Sequence, residues 1–533
     1  MPRDFALPGR SPVRGINGMA ATSMPQATLA ALDVLRAGGN ALDAAIAAVA
    51  VQGVIEPQST GIGGDCFCLY APAGARRPFA INGSGRAPAA ATIDWFESQG
   101  ITALENTSAH AVTVPGAVGA WQALLDRFGS KGLDELLQPA IAYAEDGFVV
   151  HDRTASDWEA AAAKLAGNPA SARHYLVDGR APRAGERFRQ PALAATLRAI
   201  AKGGAKAFYE GAIAADMVRT LKSQGGLHTE ADFAAAAPEF VEPISAPYRG
   251  MEIFQCPPNG SGLLVLMLAG ILQGWDRAEG GPLSPLRLHR HIEAGRLVYR
   301  DRDAFLADPL HAEVPVAHLT SAAYLDALRA GIDDGRTMGE LPPAGLEALM
   351  PVHADTVYLC VVDRDGNACS FINSLFESFG SGILAEQSGV MLQNRGFGFR
   401  VSRGHPNCIA PNKRPLHTII PGMLFKDGRC LAPYGVMGGH YQPFGHTYFL
   451  ENVFAYGMDP QAALDAPRLF PRLGEVQCES GIPQSVVDRL ERLGHRCVAS
   501  KPHGGGQAIF IDHAAGTLTG ASDPRKDGCA LGW

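Results

Sequence analysis

Thr356 opens an apolar run, Val357-Tyr358-Leu359-Cys360-Val361-Val362, which turns at Asp363-Arg364-Asp365-Gly366 and passes into a second run, Cys369 to Ile372. β-branched and aromatic residues on either side of an Asp-Gly turn predict two paired strands. A threonine hydroxyl is a weak nucleophile at neutral pH unless a base stands beside it. One solution is to cut the chain before the threonine, so that its own α-amine becomes that base. An α-amine titrates at about 7.7–8.0, close enough to neutrality to take the hydroxyl proton. By itself, a Thr-Val-Tyr run is most simply a piece of strand.

Other chemistries find less support. His405, His417, His440 and His446 lack both ligand spacing and clustered carboxylates, so no metal centre is expected. Gly61–Gly64 and Gly504–Gly506 lack the GxGxxG pattern of a dinucleotide loop, and no cofactor is expected. The net charge of -7 gives no basic face for nucleic acid. A 47% hydrophobic and 19% charged composition suits a globular enzyme with a large core, and 533 residues allow about three average domains.

The elements that would position Thr356 follow from periodicity. A helix starts at Pro25, carries Leu29, Leu32 and Leu35 on one stripe and stops at Gly38-Gly39. A second, Ala41 to Gly53, is apolar almost all round and reads as buried. A loop, Glu56 to Asp65, precedes a strand from Cys66 to Tyr70. Helical patterns recur at 117–128, 134–146, 191–202 and 212–224, and a strand pair within 243–265 leads to an apolar helix from Leu263. After a polar helical stretch (287–350), the chain from Val352 onward reads as short β-runs, at 357–362, 369–373, 390–393, 429–432 and 507–511. Helices around paired strands suggest an α/β layered architecture, doubly wound or four-layered. Met1 to Pro8 has no apolar signal-peptide core, and no window of about 18 apolar residues would span a membrane. With ten scattered cysteines, this predicts reduced thiols and a cytoplasmic location.

The stretch around Thr356 resembles the cleavage and nucleophile motif of the gamma-glutamyltransferase family of self-processing N-terminal-nucleophile hydrolases. Matching blocks run in order along the chain. They include Gly38-Gly39-Asn40-Ala41, Gly61-Ile62-Gly63-Gly64, Thr113-Val114-Pro115-Gly116, Phe208-Tyr209-Glu210-Gly211 and Pro257-Pro258-Asn259-Gly260-Ser261-Gly262. The resemblance implies an α+β fold of four layers, αββα. It also implies self-cleavage between Asp355 and Thr356 into a large subunit (1–355) and a small one (356–533). These would remain together as an αβ heterodimer, with a dimer of such pairs as a further option. In that scheme Thr356 is the nucleophile, Ser374 contacts it, and Gly438 and Gly439 donate backbone N–H groups to the oxyanion. Arg86 would grip a substrate carboxylate. His417 and Thr418 replace two serines that line the family's substrate site.

Two departures point away from a glutamyl substrate. Phe376 stands where the family has an Asn, and Gly398 where it has an Asp, so the counter-ion for an α-ammonium is missing unless Glu377 replaces it. The stretch from Phe399 to Arg414 is also shorter than the family's lid loop, which opens the site to water and favours hydrolysis over transfer. The expected partner is a small molecule bearing a carboxylate. Candidates are an oxamate-like monoamide, a glutaryl side chain as in cephalosporin acylases, or a gamma-glutamyl compound bound in a modified way. The Asn394-Arg395-Gly396 signature is similar to the branch containing oxamate amidohydrolase and glutathione hydrolase-like proteins, which favours the amidohydrolase.

Overall fold

A computed structural model describes residues 9–341 and 356–533. Asp355 and the end of the 287–350 stretch lie outside the described residues. Two seven-stranded sheets dominate. Their strands, in chain order, are Val13–Gly15 (β1), Gly18–Thr22 (β2), Asp65–Ala71 (β3), Phe79–Gly83 (β4), Glu239–Val241 (β5), Ile244–Tyr248 (β6) and Met251–Gln255 (β7). The series continues with Val357–Asp363 (β8), Ala368–Ser374 (β9), Gly422–Lys426 (β10), Arg429–Met437 (β11), Gly505–Asp512 (β12), Thr517–Ser522 (β13) and Cys529–Gly532 (β14). The first sheet has the order β14-β2-β8-β9-β3-β4-β5 and the second β1-β13-β12-β11-β10-β7-β6. Neighbours in both are antiparallel, which rules out the doubly wound alternative.

Successive side chains of a strand point to opposite faces, and β8 uses both. Tyr358, Cys360 and Val362 enter an apolar layer between the sheets, where they join Met423, Phe425 and Ile509 of the second sheet. Val357, Leu359 and Val361 face the other way, into a cluster built on helices α1 (Pro25–Arg36) and α2 (Ala41–Ile55). Because α2 lies under α1 and against the sheet, all of its residues are buried, as its uniform apolar sequence requires. Helices α3 (Gly262–Leu272) and α4 (Gln442–Phe454) cover the outer face of the second sheet, over Ile253, Leu424, Ala432 and Tyr434. The result is a four-layer αββα fold.

The boundary between residues 355 and 356 does not separate two bodies. In the first sheet β8 and β9 lie between β2 and β3, and in the second β10 bonds to β7. The β8–β9 turn is tied in as well. Asp363 accepts the N–H groups of Asp365 at 3.0 Å and Asn367 at 2.9 Å, and also that of Ala41, at the start of α2, at 2.9 Å.

Some elements differ from expectation. The 134–146 pattern is two helices, Leu133–Leu136 and Gln138–Asp146, the second with Pro139 in its first turn. The helix from Pro191 runs on to Tyr209 across a kink at Gly204. The strand at 390–393 is only Val390–Met391, and α4 interrupts the region read as β-runs. The cysteines are unpaired, and seven of the ten are buried as core residues. No helix among the described residues is long and apolar enough to cross a membrane.

Candidate active site

The β8–β9 register pairs Val357 with Asn373, which sets Thr356, one residue earlier, opposite Ser374. Their hydroxyl oxygens are buried and 3.0 Å apart. Ser374 Oγ also accepts the Phe376 N–H at 2.8 Å. That bond forms because the chain leaves β9 through Phe376 with φ of +80°, a left-handed conformation unusual for a bulky residue.

Thr356 lines a cavity of about 280 Å³ together with Gly438, His440, Tyr441 and Phe470. Strand β11 ends at Met437 and delivers Gly438 to the cavity, with Gly439 next in the chain; their φ are +121° and +56°. Only glycine enters that region cheaply, and a Cβ on residue 438 would stand 2.8 Å from the Gly504 Cα. Cations surround the opening. Arg153, Arg472, Lys501 and Lys526 line it, and no acidic side chain does so among the described residues. Arg153 and Lys526 both pair with Asp157, at 2.7 and 3.3 Å. Burial pushes His503 down to about 4 and takes His440 well below the usual range, with Arg302 lowering His440 further. Both are neutral at pH 7.

On the other side of Phe376 lies Arg395. It is 1% exposed, its guanidinium carbon sits 3.8 Å from the centre of the Phe376 ring, and Nη1 donates to Thr418 Oγ1 at 2.9 Å. Burial lowers its pKa to about 9, which leaves it protonated at neutral pH. Thr418 therefore reaches the site through Arg395. His417 has a different task. Nε2 donates to Asp65 Oδ2 at 3.0 Å, Nδ1 accepts the Ile419 N–H at 3.3 Å, and the ring packs on Phe67. Burial, with Arg395 nearby, pushes His417 down to about 4, so it is a neutral strut. Its backbone is pinned by Asn259 and Ser261, which accept and donate at 2.9 Å each.

Thus the structure gathers Thr356, Ser374, Phe376 and Gly438 and links Thr418 to them. It does not bring Arg86 there. That guanidinium donates to Glu239 at 2.6 Å and to the Asn412 carbonyl at 2.9 Å, lies 3.5 Å from Asp308, and lines a separate cavity with Tyr209. Glu377 is also engaged, since one oxygen accepts from Asn106 at 2.7 Å and Asn394 at 2.8 Å beside Lys164 at 3.5 Å. Sequence reasoning missed the arginine, lysine and histidine groups of the site. Arg395 lay within the quoted Asn-Arg-Gly signature and His440 beside the paired glycines, but Arg472 and Lys526 had no local signal. No cluster of His, Cys, Asp and Glu among the described residues could hold a metal ion.

An antiparallel αββα sandwich with a threonine at the head of an inner strand defines the N-terminal-nucleophile hydrolase class, and the sequence comparisons narrow it. The family model for gamma-glutamyltranspeptidase matches residues 27–533, and the chain belongs to that family of amide-bond hydrolases. It is 36% identical to the glutathione hydrolase-like YwrD proenzyme of Bacillus subtilis, covering 94% of this chain and 95% of that protein. It is 34% identical to the oxamate amidohydrolase proenzyme of Klebsiella pneumoniae, covering 97% and 98%. Among solved structures, a cephalosporin acylase from Bacillus halodurans superposes with a TM-score of 0.92 at 38% identity, over 100% of this chain and 99% of that one.

Proposed function

We propose that the chain is a proenzyme that cuts itself between Asp355 and Thr356 and then hydrolyses the amide of a small, carboxylate-bearing substrate of the oxamate type. The observation that carries this reading is the buried Thr356–Ser374 hydroxyl pair at a cavity edged by Gly438 and rimmed by cations. The freed α-amine takes the Thr356 proton as Oγ1 bonds to the amide carbon. The Gly438 and Gly439 N–H groups hold the carbonyl oxygen as it gains charge. The C–N bond then breaks, and the amine returns the proton to the departing nitrogen. Water repeats the sequence on the ester, releasing the acid and restoring the hydroxyl. Ser374 holds the hydroxyl in line.

A carboxylate-bearing substrate is supported by the cation-lined opening. The resemblance to oxamate amidohydrolase supports the small acyl group. One observation favours a glutaryl-type acylase as a second reading, since a cavity of about 280 Å³ leaves more room than an ammonia leaving group needs. The test is product release by the purified protein from oxamate, a glutaryl anilide and a gamma-glutamyl anilide. Ammonia from oxamate supports the first reading, anilide release from the glutaryl compound the second. Turnover of the glutamyl compound alone overturns both.

A further inference from the structure

We propose that Arg395, rather than Arg86, receives the carboxylate of the acyl group, and that the substrate is a monoamide of a dicarboxylic acid whose free carboxylate seats on the Nε/Nη2 edge of Arg395. The proposal rests on the amidohydrolase reading only in supposing that an acyl group is delivered to Thr356.

Arg395 is buried, yet it is only partly satisfied. A guanidinium carries five N–H donors. Here Nη1 is spent on Thr418 at 2.9 Å, and Phe376 covers one face of the group. Among the described residues, Nε and Nη2 meet no acceptor. Those atoms form one edge of the planar fork, the edge that binds both oxygens of a carboxylate. Arg290 of this same protein uses that edge in this way, with Nε 2.8 Å and Nη2 2.6 Å from the two oxygens of Asp334. Among the described residues no carboxylate does so for Arg395. The nearest fields are those of Asp65 and Glu377. Asp65 is engaged by His417 at 3.0 Å, Gln393 at 2.8 Å and the Gly85 N–H at 2.9 Å, and Glu377 Oε2 by Asn106, Asn394 and Lys164, while Glu377 Oε1 makes no bond to Arg395. Buried N–H donors of a cation that meet no acceptor are costly, and an incoming carboxylate removes that cost.

The position fits the chemistry. Arg395 stacks on Phe376, whose N–H holds Ser374, whose hydroxyl meets Thr356. One aromatic residue therefore separates the unpartnered guanidinium edge from the nucleophile pair. Arg86 differs: its Nη2 already donates to Glu239 and its Nη1 to the Asn412 carbonyl, with Asp308 3.5 Å from Nη1.

The test is calorimetric titration of the processed protein with oxalate, malonate, succinate and glutarate, each against its uncharged diamide. At least one diacid should bind on the order of a hundredfold more tightly than its diamide. Arg395→Met should abolish that preference, Arg395→Lys should keep a fraction of it, and Arg86→Met should leave it intact. The proposal is overturned if Arg395→Met binds the diacid as the wild type does, if Arg86→Met loses the preference, or if the wild type has none. Should the Arg395 variants not fold, a crystal structure of the wild type with the tightest diacid decides, since a carboxylate seated away from the Arg395 edge rejects the proposal. Binding is read without turnover, so failure of this anchor and failure of the amidohydrolase reading are separate results.

Discussion

At the scale of single residues, the account depends on two hydroxyls. Thr356 Oγ1 and Ser374 Oγ lie 3.0 Å apart because the hairpin register puts them opposite each other. Thr356→Ala should leave the chain uncut and inactive, while Thr356→Ser should process slowly. Ser374→Ala keeps the fold but frees the nucleophile's rotamer, and should lower kcat by roughly 10–100-fold with little change in KM. Steady-state kinetics separates these outcomes, and an unchanged kcat in Ser374→Ala contradicts the role given to it. Thr356, Ser374 and Gly438 were singled out through the family resemblance, since a Thr-Val-Tyr run or a glycine pair taken alone reads as strand or turn. Arg395 was not, because an arginine beside glycine looks like any turn residue until the fold buries it. Arg86 is the converse case, a well-placed arginine whose partners, Glu239 and Asp308, lie far away along the chain.

At the scale of elements, the site depends on how closely the two sheets approach behind Thr356. Gly435 of β11 faces the Tyr358 ring, and a Cβ there would lie 2.4 Å from ring carbons. That ring is buried and its hydroxyl is 2.9 Å from Ser370 Oγ, so it has little room to yield. Gly435→Ala should cost about 1–3 kcal/mol and shift β8, lowering both Tm and the rate of processing. A Tm equal to the wild type's would show that the sheets are not held this tightly. Asp363→Ala removes acceptors that close the β8–β9 turn and cap α2, and should cost about 2–3 kcal/mol in denaturant unfolding. The β8–β9 hairpin and α2 were legible because a clear period or a uniform apolar run matches a well-defined environment. Helix α4 was not. It is buried around most of its circumference, so Gln442, His446, Glu451 and Asn452 carry no polar stripe to mark a helix.

At the scale of the whole molecule, strands from both sides of the proposed cut alternate within each sheet. The two fragments should co-elute under native conditions and separate only in denaturant, and their separation in native buffer would contradict the strand order seen here. Acid should weaken the fold. Burial holds His228 and His417 down to about 4 and His446 down to about 3, whereas an unfolded histidine titrates near 6.5. Below pH 6.5 the unfolded chain takes up protons that the folded one excludes, so stability is lost as pH falls from 6.5 towards 4. Above 6.5 these groups make no difference. By pH 5 each contributes a loss of about 1–2 kcal/mol, and a Tm that stays flat from pH 7 to pH 5 would contradict this.

The most direct test of the central claim is N-terminal sequencing of the purified wild type after denaturing electrophoresis, beside Thr356→Ala. The account predicts two fragments in the wild type, the smaller beginning Thr-Val-Tyr-Leu, and one uncut chain in the variant. An uncut wild type that still hydrolyses amides, or a new terminus at any other residue, would contradict it.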